Sequence, residues 1–460
     1  MGSLVRLVDI LEARHGIRVV GDEVYRWIYT RDYWPRLVFR DIREGIEPRN
    51  IYIAYPEDEG EVLKILNEAH RLNIRVYVYG GGSGVLGGAI PSGDGLIIDT
   101  SRLRWIRWLD EYSGIIDVGP GTYMSEVEDW LNRRGYTTRH YPQSIDVATI
   151  GGLVSTLSIG QYSTGYGGIE DMVLGLNIAI PGLGIVRIPP RPRRSTLIQL
   201  DKLFIGGEAL YGVLTRIYLR VLRLPEYVAR FIYKTSGFTE SVKKAKMIIE
   251  RNIYPHLFRI FDEYESSIYF PDVGWGSVIL GIFEGEREIV DAYIRYVDGR
   301  LGDRVPLQYF DEWYRERNNV LKMVKALYES GLGFDTMELG VSWSRVNTLY
   351  RDIRENVFNL EGVKGVTAHI GHFYPSGVGI YFTFTIDLAR YEETYDTLWD
   401  TVMDIAHRHG ASISHHHGLG IHRLRYLKYE YGLEGFKLLK IIKDALDRGN
   451  ILRGSLDDAF

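Results

Sequence analysis

Apolar positions along this chain change their spacing in ways that mark out elements. Ile51–Tyr55 alternates as a strand does, and after Pro56 the residues Val62, Ile65, Leu66 and Ala69 recur at helical spacing. Ile74–Tyr79 is β-rich and runs directly into the stretch GGGSGVLGG, residues 80–88. Leu96–Asp99 and Ile115–Val118 read as short strands, and Val127, Trp130 and Leu131 as the stripe of a helix ending at Gly135. Ser125 and Glu128 carry the spacing of a capping box for that helix. Residues 379–384, GIYFTF, alternate aromatics as a half-buried strand does. A helix is predicted over 391–409 with Tyr391, Tyr395, Leu398, Val402 and Ile405 on its buried face, and a last one over 433–447. The start, MGSLVRLVDILEARHG, reads as a short amphipathic helix; the rest of the first forty-five residues shows no strong period.

The texture also divides the chain. Residues 142–182 are a glycine, serine and threonine stretch, 185–200 a proline- and arginine-bearing loop, and 205–215 leads into the strand Ile217–Leu222. Pro225 marks a boundary, beyond which glycines thin out. Four units are expected: an N-terminal helical segment 1–45, a glycine-rich domain 46–225, a mixed domain 226–410 and a C-terminal segment 411–460. A chain of 460 residues exceeds the size at which one core keeps growing, which agrees with several domains.

Composition narrows the function. With 55 basic and 60 acidic side chains the net charge is −5, which argues against nucleic acid as the main partner. There is no cysteine, so disulfides, thiolate catalysis and cysteinyl attachment of a cofactor are excluded. No apolar run has transmembrane length and the start lacks a signal-peptide core, so a cytoplasmic protein is expected.

Four features carry candidate chemistry. Glycines in 80–88 let backbone amides approach an anion without an intervening Cβ. Gly82, Gly84 and Gly87 fit G-x-G-x-x-G, but the following AIPSGDGLIID cannot be the helix that a dinucleotide turn opens. A loop cradling phosphate between strands, or a plain turn, remains. The small residues of PQSIDVATIGGLVSTLSIGQYSTGYGGIED (142–171) suit close approach of a flat ligand, or a turn-rich β segment. The triple histidine His415–His417 offers proton transfer, metal ligation helped by His369 and His372, or a surface cluster; on a strand at most two of the three could serve one site. Arg259 in LFRIFDEY is either half of an ion pair with Asp262 or a clamp for an anion.

Taken in order from about Pro48 to Leu452, these segments resemble the FAD-linked oxidase superfamily with a vanillyl-alcohol-oxidase type flavin domain. Within it, PQSIDVATIGGLVSTLSIG…YGGIED, SHHHGLG and YPSGVGIYFTF are most similar to the alkyl-dihydroxyacetonephosphate synthases; the related D-2-hydroxyacid dehydrogenases usually show G-H-x-G-D-G-N-x-H and G-E-H-G at the last two places. The resemblance implies an α+β fold: a two-subdomain flavin-binding domain, a substrate-binding cap and a C-terminal segment returning to the flavin. It implies FAD, noncovalent, with Gly80, Gly81, Gly82, Ser83, Gly84 and Val85 at the pyrophosphate. Pro142, Ser144, Thr149, Gly152, Ser155, Thr156, Ile169 and Glu208 would line the cofactor. Tyr381 and His415, His416 and His417 would handle protons, and Arg259 matches the arginine of the family's R-L-M-D-N. A second family arginine falls at Lys322 or Lys325, a departure that loses the planar fork. The implied reaction exchanges the acyl group of acyl-dihydroxyacetonephosphate for a long-chain alcohol through an adduct at flavin N5. The alternative is an FAD-dependent dehydrogenase or oxidase of a D-2-hydroxy acid such as lactate or glycolate. A lipid-like or small-molecule substrate, a peripheral membrane contact and a homodimer complete the expectation, with no bound metal.

Overall fold

In a computed structural model that describes residues 2–45 and 48–452, the helix expected after Pro56 forms over Glu59–Leu72. Asp58 starts it by accepting the Glu61 amide, and Asn73 stops it in the left-handed region at φ 53°. Val62, Ile65, Leu66 and Ala69 are buried as their spacing predicts, together with Leu7 and Leu11 of the N-terminal helix Gly2–His15. Beneath lies a four-stranded sheet in the order Arg18–Val20, Ile51–Tyr55, Gly95–Asp99, Val76–Tyr79. Its last three strands are parallel, so the loop after Val76–Tyr79 leaves from a carboxyl edge, where ligands of α/β sheets bind.

A five-stranded antiparallel sheet follows, ordered Ile106–Asp110, Ile115–Val118, Val213–Arg220, Val173–Ile180, Gly184–Ile188. The helix on it spans Met124–Asn132, and here the expected capping box is corrected. Because the helix begins at Met124, the third position belongs to Glu126, whose carboxylate accepts the Tyr123 amide. Glu128 points inward instead and accepts hydrogen bonds from Thr137, Thr138 and Tyr141.

The region after Pro225 builds a seven-stranded antiparallel sheet. Its order is Asp303–Arg304, Tyr227–Thr235, Ser277–Gly285, Leu257–Phe261, Val363–Phe373, Gly377–Asp387, Leu332–Ser342. On one face the helices Phe238–Ile249, Val346–Val357 and Tyr391–Arg408 enclose the largest core, with Ile380, Phe382 and Phe384 in it. The alternation read from GIYFTF therefore has a consequence: Tyr381 points to the opposite face.

The chain then returns. The last helix spans Leu427–Leu446 and breaks at Gly432, so the segment expected from 433 is its second half. Buried Lys443 fastens this return, donating to the carbonyls of Leu210 and Leu452 and to Asp447. Leu452 bridges to Val76 at the edge of the first sheet. Among the described residues no helix is long and apolar enough to cross a membrane.

Candidate functional site

The glycine loop is held from three sides. The turn that starts helix Ile150–Ser155 lies directly on it: a Cβ on Gly81 would come within 1.8 Å of the Val147 carbonyl, and one on Gly80 within 2.4 Å of Thr149 Oγ1. Thr149 caps that helix by accepting the Gly152 amide, and the Thr156 hydroxyl donates to the Gly152 carbonyl. Pro142 and Ser144 shape the preceding turns through carbonyls that accept from Ile145, Val147 and Ala148. Ser155 accepts the Glu208 amide through its carbonyl, and the Glu208 carboxylate accepts the amides of Leu419 and Gly420. Glu208 thus ties the C-terminal return to Gly88 and Gly418, both within contact distance of its carboxylate. Ile169 is fully buried in the core under the five-stranded sheet, its amide donated to Ser158. From below, Asp32 accepts the Trp34 amide and lies against Gly84, while Tyr33 donates to the Gly84 carbonyl.

What this leaves is a row of donors. Among the described residues, the amides from Gly80 through Leu86 (those of Ser83 and Val85 included) meet no protein acceptor, although the loop is mostly half-buried or buried. Half-buried amides without acceptors are costly unless a ligand answers them, and a diphosphate does so.

The second part of the site is the free face of the seven-stranded sheet. Glu338, Tyr381 and His369 occupy one register row across three neighbouring strands. His372 would face away from them by simple alternation. A register shift between Ile370 and His372 instead sets His372 opposite Gly379, on the face of Tyr381. His415, His416 and His417 lie in a loop after the long helix rather than on a strand. His415 and His416 reach the cluster, while His417 turns to Glu338 with Nδ1 2.8 Å from the carboxylate.

The polar groups here are bonded in sequence. The Tyr381 hydroxyl lies 2.7 Å from His372 Nε2 and 3.1 Å from His416 Nε2. His369 stacks on the Tyr381 ring at 4.5 Å. Burial pushes His415 down to about 4 and His372 and His416 well below the usual histidine range, so these rings are neutral near pH 7. Burial raises Tyr381, opposed by the Arg259 guanidinium, so it is a protonated phenol. Nitrogens of His372, His415 and His416 lie within 4.8 Å of one another, close enough to share an ion, yet each ring is already hydrogen-bonded to its neighbours.

Beneath the loop sits a residue that no motif singles out. Glu338 is fully buried and accepts from both Arg423 terminal nitrogens at 2.6 and 2.5 Å, from Ser414, and from the amides of His416 and His417. Burial alone would raise this carboxyl, but Arg423 and His417 hold it well below the usual range.

Arg259 resolves against its bland reading. Asp262 is taken by Arg354 at 3.3 Å, Tyr350 and the Ala368 amide. Among the described residues no carboxylate comes within ion-pair distance of Arg259, whose guanidinium lies over Trp313 at 5.5 Å and beside Gly371. Burial lowers its pKa, and the positive charge of Arg317 acts in the same direction. Lys325 is not brought here: its side chain is 76% exposed and 3.7 Å from Glu329, and Lys322 likewise faces solvent beside Glu316. The second cation facing Arg259 is Arg317, held by Gln161 and over the Tyr314 ring. Arg317 ends the helix Leu307–Glu316, and no spacing in the sequence singles it out.

A glycine loop with unanswered amides at a sheet's carboxyl edge, facing a tyrosine–histidine cluster on a second sheet, defines a flavin-dependent enzyme. The chain belongs to the FAD-linked oxidases: residues 51–187 match the FAD binding domain and residues 224–453 the C-terminal domain of FAD linked oxidases. It is similar to alkyldihydroxyacetonephosphate synthase of Dictyostelium discoideum, 25% identical over 87% of this chain and 72% of that protein. It is also similar to a D-lactate dehydrogenase of Archaeoglobus fulgidus, 23% identical over 88% of this chain and 90% of that one. A solved alkyldihydroxyacetonephosphate synthase has the same fold, with a TM-score of 0.80 over 98% of this chain and 84% of that chain at 22% identity. The cofactor is FAD. The amide row fits its diphosphate, which makes Gly81 the most sensitive position: Gly81→Ala drives a methyl into the Val147 carbonyl and is expected to yield colourless protein. Flavin absorbance after desalting checks this; a fully yellow variant would remove the loop from the binding site.

Proposed function

We propose that the protein is an alkyl-dihydroxyacetonephosphate synthase-like transferase, replacing the acyl group of an acyl-dihydroxyacetonephosphate with a long-chain alcohol. The observation that carries this reading is Arg259. A buried cation with no carboxylate at ion-pair distance among the described residues, next to a neutral tyrosine–histidine pair, offers a seat for an anionic headgroup beside a site of proton exchange. Arg317 adds a second positive charge on the same side. Tyr381 and His416 would move a proton at the substrate carbon, and the row Gly80–Val85 would hold the cofactor's diphosphate. FAD, when bound, supplies an electrophilic ring to which substrate electrons can be lent and from which they return. The synthase relative and the motifs SHHHGLG and YPSGVGIYFTF support the reading.

A second reading, dehydrogenation of a D-2-hydroxy acid, is favoured by the same arginine, because a carboxylate would be bound equally well, and by the D-lactate dehydrogenase relative. One anaerobic experiment separates them. Acyl-dihydroxyacetonephosphate with a labelled long-chain alcohol is expected to release fatty acid and incorporate label without reducing a dye. Dye reduction by D-lactate with no incorporation of alcohol would overturn the synthase reading.

The anion clamp has its own test. Arg259→Ala is expected to raise KM for the phosphorylated substrate by on the order of 10- to 100-fold, the loss of one charged hydrogen-bonding partner. Arg317→Ala should act in the same direction and Lys325→Ala should leave KM unchanged. Equal effects from Arg259→Ala and Lys325→Ala in steady-state kinetics would reject the clamp.

A further inference from the structure

Six side chains from three parts of the chain form one unbranched chain of hydrogen bonds. Ser163 Oγ lies 2.6 Å from His372 Nδ1, and His372 Nε2 lies 2.7 Å from the Tyr381 hydroxyl. Tyr381 lies 3.1 Å from His416 Nε2, His416 Nδ1 is 2.9 Å from His415 Nδ1, and His415 Nε2 is 2.9 Å from the Tyr374 hydroxyl. The four inner members, His372, Tyr381, His416 and His415, belong to the candidate site; Tyr374 at the far end does not. Tyr374 precedes the exposed turn Pro375–Ser376 between two strands of the large sheet. The helix Ile169–Met172 carries Glu170 and Asp171, close enough that their negative charge is felt at the Tyr374 hydroxyl. Glu170 Oε2 is buried with no hydrogen-bond partner, in a side chain that is otherwise partly exposed.

We propose that Tyr381, His416, His415 and Tyr374 are a proton wire that connects the buried site to Glu170 at the protein surface. The chemistry of a neutral imidazole dictates its form. Each ring has one N–H and one bare nitrogen, so a donor at one link fixes the donor at the next. The close contact between His415 Nδ1 and His416 Nδ1 then allows two arrangements of the segment from Tyr381 to Tyr374, one with every proton pointing outward and one with every proton pointing inward. Charge selects between them. Arg259 is a cation at the inner end, and Glu170 and Asp171 are carboxylates at the outer end, so the field favours protons aimed outward.

In that arrangement Ser163 donates to His372 Nδ1, and His372 Nε2–H to the Tyr381 oxygen. Tyr381 donates to His416 Nε2, His416 Nδ1–H to His415 Nδ1, and His415 Nε2–H to the Tyr374 oxygen. The Tyr374 hydroxyl is left to donate toward Glu170. A proton released beside Tyr381 bonds to its oxygen while the Tyr381 proton leaves to His416. The His416 Nδ1 proton passes to His415, the His415 Nε2 proton to Tyr374, and the Tyr374 proton to the Glu170 carboxylate, which gives it to water. One bond forms and one breaks at every link, no oxidant is needed, and no buried imidazole has to keep a net charge, which would be costly there. From Tyr381 to Tyr374 the protons are left pointing inward, while Ser163 and His372 keep theirs where they were, so the two arrangements of that segment are its states before and after one transfer. Burial raises the Glu170 carboxyl and Asp171 acts in the same direction, opposed by Lys202, whose ammonium donates to the Glu170 carbonyl.

The proposal rests on the proposed function only for where the proton originates, and its first test uses no substrate. In FAD-loaded enzyme labelled with ¹⁵N-histidine, nitrogen chemical shifts near pH 7 are expected to show His416 as the Nδ1–H tautomer and His415 and His372 as Nε2–H. The opposite set, or a protonated imidazolium at His415 or His416, would overturn the outward wire. The second test cuts the outer end, away from any contact with substrate. Glu170→Ala and Tyr374→Phe are expected to slow turnover about 10- to 100-fold at unchanged FAD content, and added formate to restore rate to Glu170→Ala but not to Tyr374→Phe. Full-rate turnover in both variants overturns the wire, and so does a loss in Glu170→Ala that formate leaves untouched. Wild-type enzyme inert toward acyl-dihydroxyacetonephosphate but carrying the predicted tautomers would remove the transferase reading and leave the wire standing.

Discussion

Arg423→Met is expected to destabilise the protein by about 3–5 kcal/mol, because it leaves the Glu338 carboxylate fully buried without its cation. The pair has no exposure on either side, and its fork geometry uses both carboxylate oxygens. Glu338→Leu should cost a similar amount by stranding the guanidinium, and Arg423→Lys should recover part of the loss, since it keeps the charge and gives up the fork. The informative variant is the pair Glu338→Leu with Arg423→Met. Replacing both ions by apolar groups of similar volume should return much of the stability. It should not return turnover, because Glu338 also holds Ser414, the amides of His416 and His417, and the His417 ring. Thermal melting and steady-state rates of the four proteins check this. Single variants that melt with the wild type would show the pair to be unimportant, and a double variant with full turnover would show that it does not position the histidines.

Tyr381→Phe and His416→Ala are expected to lower turnover by on the order of a hundredfold or more with FAD still bound. Among the described residues Tyr381 is the one hydroxyl that touches both His372 and His416, and both rings are held neutral by burial, so each offers one N–H and one bare nitrogen. Tyr381→Phe removes a single oxygen from a side chain whose ring still stacks on His369, so folding should be nearly untouched. His416→Ala removes the next acceptor. If the two act as one unit, the double variant should be scarcely slower than either single one, since a broken relay cannot be broken again. Multiplicative losses would mean independent roles, and unchanged single-variant rates at full flavin absorbance would remove both residues from the chemistry.

Much of the site was legible in residue patterns. The glycine loop was read as phosphate-binding because GGGSGVLGG follows a strand and no helix follows it, and the loop indeed leaves a parallel sheet with its amides unanswered. The expectation that two of the three histidines could share a site holds in the geometry, though for a different reason. They sit in a loop that folds His415 and His416 together, not on a strand that alternates them. Lys322 or Lys325 was the place at which the resemblance put a second family arginine, and that alignment could not know that the chain turns at Arg317 before the helix Val320–Glu329 begins. The capping box at Ser125 and Glu128 failed because the helix starts two residues earlier than the motif requires. Glu338 gave no signal: in the alternation of Met337, Leu339 and Val341 it reads as the solvated side of a strand, and only the arrival of Arg423 from eighty-five positions away turns that side into an interior.

By itself, then, the order of residues determined many of the helices and strands, the glycine loop after a strand, and the presence of a tyrosine and histidines with groups that can exchange protons. Those follow from local periodicity and from functional groups that a residue carries wherever it sits. Which groups meet was decided by the tertiary structure alone. A one-residue shift after Ile370 swings His372 to the face of Tyr381, Asp262 is claimed by Arg354 and not by Arg259, and the helix Ile169–Met172 brings the charge of Glu170 within reach of Tyr374. Such pairings depend on register, on bulges and on competition for partners between segments hundreds of residues apart, and no spacing along the chain encodes them.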